Sequence, residues 1–426
     1  MTRMVASLSA LIFSIILLVS GNAFLMTLLG IRLSIEQVDP ATIGWVLVCY
    51  SIGFVAGTLF VNRVIGRVGH IRAFTAFAAL AAVAALLHPL AVSMVFWAAL
   101  RVVSGFSMAG VFVVIESWFS SRATNSNRGA LFAIYQMVFF LSAAGGQLVV
   151  NLGDPASFMP FTLAAILVTL AIIPLSLTRM EAPPIEKIDR MSVFTLWRES
   201  STGVVGALIC GVLIGSFYAL GPVYATLVGM DVAATSVFMA SAIIAAMLLA
   251  WPLGRLCDRF DRRRVMFWIA LGGAGAGIGA ALLQPDQFWL LLLAVGLFTG
   301  LSATVYPVAV AITNDRMEHH RIVAASATLL LSYGIGSIIG PVVMAELVSY
   351  TGPRGLFLGN AAFLLLLAGS TWHRIRTTYD IPVEEQEQFV GTMPQASPVL
   401  AEIDPRNEEF HAPDEPDVSE GFKKAG

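Results

Sequence analysis

Apolar residues run through this chain in twelve blocks of about twenty, separated by short polar joints. The blocks fall at residues 6–30, 43–62, 73–92, 94–118, 129–150, 157–177, 203–225, 236–253, 265–283, 288–312, 323–346 and 355–373. An α-helix rises about 1.5 Å per residue, so each block is long enough to cross a hydrocarbon layer of roughly 30 Å. Twelve membrane-spanning helices are therefore predicted. The first block exceeds the apolar core of a cleaved leader and passes straight into the second, so it is read as a retained helix.

Composition narrows the class. Of 426 residues, 57% are hydrophobic and 12% charged, about half the charged share of a soluble globular chain, and mean hydropathy is +0.81. Twelve spans need roughly 240 apolar positions, which that hydrophobic share supplies. A soluble enzyme with so much apolar surface would not stay dispersed. Net charge is −2, with no basic field for nucleic acid. Cys49, Cys210 and Cys257 stand far apart in or beside apolar blocks; they indicate neither a disulfide framework nor a metal site and read as packing residues. The lysines are Lys187, Lys423 and Lys424, none after a glycine, so a Walker A loop is absent and no nucleotide or other cofactor is implied.

Basic residues are divided unequally between the two sets of joints. One set, from Arg3 through the 63–72, 122–128, 178–202 and 255–264 stretches to Arg316, Arg321, Arg374 and Arg376, holds nineteen Lys and Arg; the other holds Arg32 and Arg354, with Arg101 just inside a helix. Basic joints stay in the cytoplasm. Both termini are accordingly expected there, in a multi-pass membrane protein.

Residues 178–202, with Pro183, Pro184 and mixed charge, read as a cytoplasmic linker between six-helix bundles at 1–177 and 203–373. Residues 374–426 carry twelve Asp and Glu against five Lys and Arg and are expected to form a disordered acidic cytoplasmic tail. The halves repeat. Gly105 to Gln147 runs beside Val295 to Ser337 at an offset of 190, bringing Gly110 over Gly300 and Gly146 over Gly336. Six spans per half give both halves the same direction, so the repeat is parallel and a site is expected between them. The predicted fold class is all-α integral membrane, with twelve transmembrane helices in two parallel-repeat six-helix bundles.

Between the eighth and ninth blocks stand Gly254, Asp258, Arg259, Asp261 and the run Arg262, Arg263, Arg264. This loop resembles the G-x-x-x-D-R-x-G-R-R pattern of the major facilitator superfamily (MFS). Gly254 would let two helices approach closely. Asp258 is placed to meet Arg259 and a neighbouring helix N-terminus, a latch that breaks when the halves rock apart. The plainer reading is a basic anchor obeying the charge rule. The equivalent first-half loop keeps Arg67, Gly69 and Arg72 but has Gly66 in place of the acid and Asn62 in place of the first glycine; Asp261 replaces the second glycine in the other loop. Asymmetric gating is expected.

The fourth block opens with Arg101 and Gly105, similar to the superfamily's fourth helix, and continues to Gly110 and Glu116. Fifteen residues put Glu116 about 22 Å from Arg101 along the axis, too far for direct pairing. Glu116 reads either as a proton-coupling or substrate-facing carboxylate or as a glutamate reaching the cytoplasmic interface. Gly336, Gly340 and Pro341 on the eleventh helix resemble a pattern that marks many drug antiporters on helix 5, but the fifth block, Ser142 to Gln147, lacks the proline.

In the superfamily, helices 1, 4, 7 and 10 line a cavity. The resemblance places Asn22, Arg101, Glu116, Ser216, Tyr218 and Tyr306 on that path, with Tyr135, Gln136 and Tyr333 added from the fifth and eleventh helices. Asn22 aligns with Ser216 and Glu116 with Tyr306 across the repeat, and matched interruptions point to a central site. Two further stretches resemble the bacterial YcaD-type group: Ile115-Glu116-Ser117 with Asn127-Arg128-Gly129, and Tyr306-Pro307 with Glu318-His319-His320 and Leu330 to Tyr333. The resemblance covers residues 5–375. His319 and His320 read as a titrating latch or a solvated loop pair.

The reading that follows from the resemblance is a secondary active transporter of the bacterial cell inner membrane, functional as a monomer in the lipid bilayer. It would move a small amphipathic organic solute by alternating access, with protons as coupling partner and export favoured. The alternatives are an uptake permease for a nutrient or vitamin and a transporter-like membrane sensor. An intramembrane enzyme would need a convergent catalytic constellation, which one glutamate does not supply.

Overall fold

The computed structural model describes residues 2–123, 127–177, 191–318, 321–378, 381–386 and 389–393, with side chains from Leu8 onward. Fourteen α-helices occur among them: α1 Thr2–Ile35, α2 Pro40–Val68, α3 His70–Leu87, α4 Met94–Ser120, α5 Arg128–Val149, α6 Met159–Leu170, α7 Ile172–Leu177, α8 Val193–Glu199, α9 Ser201–Leu227, α10 Val232–Cys257, α11 Arg262–Leu282, α12 Phe288–Asn314, α13 Ile322–Thr351 and α14 Gly355–Thr377. Twelve spans are long and apolar enough to cross a membrane, α6 and α7 together forming the sixth. That span breaks because Pro174 in α7 has no N–H to donate and crowds the carbonyl four residues back. Several helices outrun their apolar blocks, α1 by reaching Ile35 and α13 by reaching Thr351. Hydrophobicity marks the lipid, whereas backbone hydrogen bonding continues into water.

Local chemistry sets the ends. Asp39 caps α2, its carboxylate accepting the Ala41 N–H at 3.0 Å beside Pro40 at the first helical position. Gly69, at φ +83°, ends α2 and opens α3 within one residue, a backbone state open to glycine at little cost. Asp261 caps α11 by accepting the Arg264 N–H at 2.8 Å, which explains an acid where the family pattern has glycine.

Packing repeats along with the sequence. In the first half α1 packs on α5 and α2 on α4; in the second α9 packs on α13 and α10 on α12. Gly146 and its repeat mate Gly336 sit at equivalent crossings, where an added Cβ would fall on the backbone of Ser20 and of Leu208 respectively. The halves meet along α2 with α13 and α5 with α10, and α1 also touches α9. At the end remote from the arginine loops they are tied together. The Ser349 hydroxyl donates to Asp39 at 3.2 Å, and Asn151 donates to the Ser236 hydroxyl at 2.8 Å.

Two segments set apart in the sequence carry local structure where they are described. In 191–202, Ser192 caps α8 and Leu196 is buried. The start of 374–426 carries it too. α14 continues to Thr377, and Phe389, Val390 and Met393 pack on the core, because this short run is apolar within an otherwise acidic segment. Residues 178–190, including Arg179, Lys187 and Arg190, together with His319, His320 and 394–426, lie outside the described residues.

Candidate functional site

A cavity of about 180 Å³ lies between the halves. From the first half it takes Asn22, Met26 and Thr27 on α1, Tyr50 and Phe54 on α2, and Gln147 on α5. The second half contributes Tyr218 on α9, Met239 on α10, and Tyr333 and Ser337 on α13. The recurring four-residue steps, Asn22 to Met26, Tyr50 to Phe54 and Tyr333 to Ser337, put each contribution on one helix face. Asn22 donates to the Tyr50 hydroxyl at 3.3 Å, and the Thr27 hydroxyl donates to the Gln147 side-chain carbonyl at 2.5 Å. The walls mix aromatic rings with neutral hydrogen-bonding groups, and among the described residues no charged side chain lines them.

Toward the arginine-bearing end lies a second chamber of about 40 Å³. Phe140 and Tyr218 belong to both chambers and so stand between them. Gln136 and Pro307 line the second chamber, and Phe389, Gly391, Thr392 and Met393 wall it off. A larger groove of about 850 Å³ is formed by the second half and residues 381–383 alone. It lies outside the seam between the halves, where an alternating-access site must sit.

The expected path residues divide. Asn22, Tyr218 and Tyr333 line the cavity, and Gln136 lines the second chamber. Tyr306 stands one layer behind, edge-on to Tyr333 at 5.6 Å between ring centres. Ser216 is a correction: it turns away and donates to Asn360 of α14 at 3.0 Å, while its neighbour Gly215 faces the cavity. Glu116 does not face solute or reach the interface. It is fully buried and accepts a 2.6 Å hydrogen bond from the Tyr135 hydroxyl of α5.

Arg101 is also fully buried, between α1, α2 and α4. One guanidinium nitrogen, Nη1, lies 3.1 Å from the Met26 sulfur, and the group stands 5.4 Å from the Tyr50 ring centre. Its Nε and Nη2 have no hydrogen-bond partner among the described residues.

At the loops, Arg67, Gly69 and Arg72 are exposed. Gly254 lies beneath the Phe389 ring, and Asp258 accepts the Phe389 backbone N–H at 2.7 Å. This replaces the expected latch of Asp258 with Arg259, which is exposed. A buried ion pair in this region instead joins Arg262 with Asp315 and ties α11 to the end of α12. Sequence reasoning missed Asp315, Tyr50, Thr27 and Gln147. Only Gln147 carried a strong signal, an amide inside an apolar span that must find a partner.

A family model described as Major Facilitator Superfamily matches residues 4–286 and 244–401. The MFS-type transporter YcaD of Escherichia coli O6:K15:H31 (strain 536 / UPEC) is 33% identical over 375 residues, 85% of this chain and 95% of the relative. YcaD of Escherichia coli O9:H4 (strain HS) matches to the same extent. Among solved structures, the nucleoside transporter NupG superposes with a TM-score of 0.75 at 15% identity, covering 88% of this chain and 100% of that one. A bacterial homolog to human lysosomal transporter Spinster, inward-facing and unoccupied, gives 0.71 at 16% identity, covering 90% and 98%. At such identities the structural likeness speaks for the fold alone.

Proposed function

The chain belongs to the major facilitator superfamily, and from that membership we propose that it carries a small amphipathic organic solute by alternating access. Membership makes it a multi-pass secondary transporter of the bacterial inner membrane. The two bundles, 1–177 and 203–373, act as rocking bodies, and the solute binds in the cavity shared by α1, α2, α5, α9, α10 and α13. One observation carries this reading. The aromatic and amide-lined cavity sits on the seam between repeat-related halves, whose described residues hydrogen-bond to each other at the end remote from the arginine loops. The arginine-bearing end and both termini face the cytoplasm, a reading supported by the nineteen basic residues on that side. The protein works as a monomer, since each chain supplies both halves of the seam.

Protons couple to transport through the Glu116–Tyr135 pair, which is separate from the solute cavity. Glu116 is the acid placed inside the first bundle, where a carboxylate is costly and its charge can be set by packing state. Solute moves outward. The test is proton release or uptake by proteoliposomes under an imposed pH gradient, with Glu116→Gln and wild type matched for folded protein. Loss of gradient-driven flux in the variant supports the assignment, and retained coupling removes it. Accumulation of solute inside right-side-out vesicles would reverse the direction to uptake.

A further inference from the structure

Resting on the transport reading above, we propose that the solute is an anion, an aromatic or apolar body bearing one carboxylate-like group, and that Arg101 is its counter-charge. An isolated charge held out of water costs several kcal/mol unless paired. Arg101 is 0% exposed, with Nε and Nη2 unpartnered. Along the helices of the first half a change of rotamer finds no acid, because α1, α2, α3, α5 and α6 contain none and the acid of α4, Glu116, lies about four turns away. Of the joint acids, Glu36 pairs with Arg32 and Asp39 caps α2, about three turns beyond Met26 and Tyr50 respectively. The missing partner therefore comes from outside the chain. The cavity is the near side: Met26 and Tyr50, the two residues the guanidinium touches, both line it. Met26 is a flexible thioether whose rotation would open the guanidinium to the cavity. A guanidinium fork suits a carboxylate, and the rings of Phe54, Phe112, Phe139 and Tyr218 suit a planar body. With no carboxylate on the walls and a buried cation behind them, cationic amphipaths are disfavoured.

Matched probes test this on the full-length protein in nanodiscs by calorimetry: indole-3-acetate against indole-3-acetamide, benzoate against benzamide, and tryptamine as the cationic arm. The acids should bind at least tenfold more tightly than the amides, and tryptamine should not bind. Arg101→Met should erase the preference while leaving amide affinity in place, and Arg101→Lys should keep part of it, which separates charge from folding. Equal binding of acid and amide, or a preference surviving in Arg101→Met, overturns the anion assignment. Binding of neither member overturns the cavity reading itself.

An independent observation concerns the C-terminal segment, where the geometry points to residues 389–393 as a plug. Phe389 engages Asp258 and Gly254 of the second half, Gln136 of the first half donates to the Gly391 carbonyl, and Met393 is buried. The segment thus bridges both halves across the second chamber, on the route from the cavity to the arginine-bearing end. It must withdraw before that end can open. In a full-length chain freed of its three cysteines, Ala246→Cys in the chamber wall reports access to a maleimide. Phe389→Ala with Met393→Ala should speed labelling about tenfold, and a Gln136→Cys, Gly391→Cys crosslink should suppress labelling until reduced. Labelling indifferent to both changes overturns the plug.

Discussion

The Arg262–Asp315 pair offers the sharpest quantitative test. Both side chains are nearly dry, at 2% and 5% exposure. Each also stands at the unfavourable end of a helix: Arg262 is the first residue of α11, and Asp315 follows the last residue of α12. The helix dipoles therefore oppose both charges, and the pair offsets both penalties at once. Breaking a buried pair from one side leaves an uncompensated charge and costs about 3–5 kcal/mol. Asp315→Asn and Arg262→Met should each lose an amount in that range. Arg262 also donates to the Ala311 carbonyl at 3.3 Å, so Arg262→Met loses a further hydrogen bond of about 1 kcal/mol. The double variant removes both charges and should cost far less than the two singles together, with a coupling of about 2 kcal/mol or more. The assay is equilibrium unfolding in mixed detergent micelles, run as a double-mutant cycle. Additive losses would refute the argument, because two independent charges would then be sitting in water rather than neutralising each other.

Three other outcomes follow from the same structure. Gly336→Ala places a methyl on the Leu208 carbonyl and should destabilise by about 1–3 kcal/mol through forced separation of α9 and α13, measured in the same unfolding assay; Gly145→Ala, which meets nothing within 4 Å, is the control. Asp261→Ala removes the α11 cap and should cost about 1 kcal/mol, recovered by Asp261→Ser. Gln147→Leu strips the Thr27 hydroxyl of its acceptor inside the cavity and should lower solute affinity several-fold without changing expression or monodispersity.

The candidate site was only partly legible. Asn22 and Ser216 are alike in sequence, polar positions matched across the repeat, yet Asn22 lines the cavity and Ser216 hydrogen-bonds Asn360. A rotation of one residue, about 100° on a helix, separates the two outcomes. Glu116 stands out as an acid in an apolar span and Tyr135 as a polar ring on the fifth helix, but their pairing across two helices leaves no trace in local sequence. Asp258 carried a recognised pattern, while its observed partner is the backbone of Phe389, 131 residues away.

What the sequence by itself determined is the class: twelve spans, the parallel repeat and the family, because a bilayer selects on composition and length, which a one-dimensional reading measures directly. What only tertiary structure decided is which face of each helix meets which neighbour: that Arg101 lies behind Met26 and Tyr50 with no acid beside it among the described residues, that Asp315 answers Arg262, and that a short apolar run in an acidic tail lines a chamber. Lipid makes every outward face similarly apolar, so hydropathy loses the periodic signal that would assign those faces, and packing between distant helices settles them.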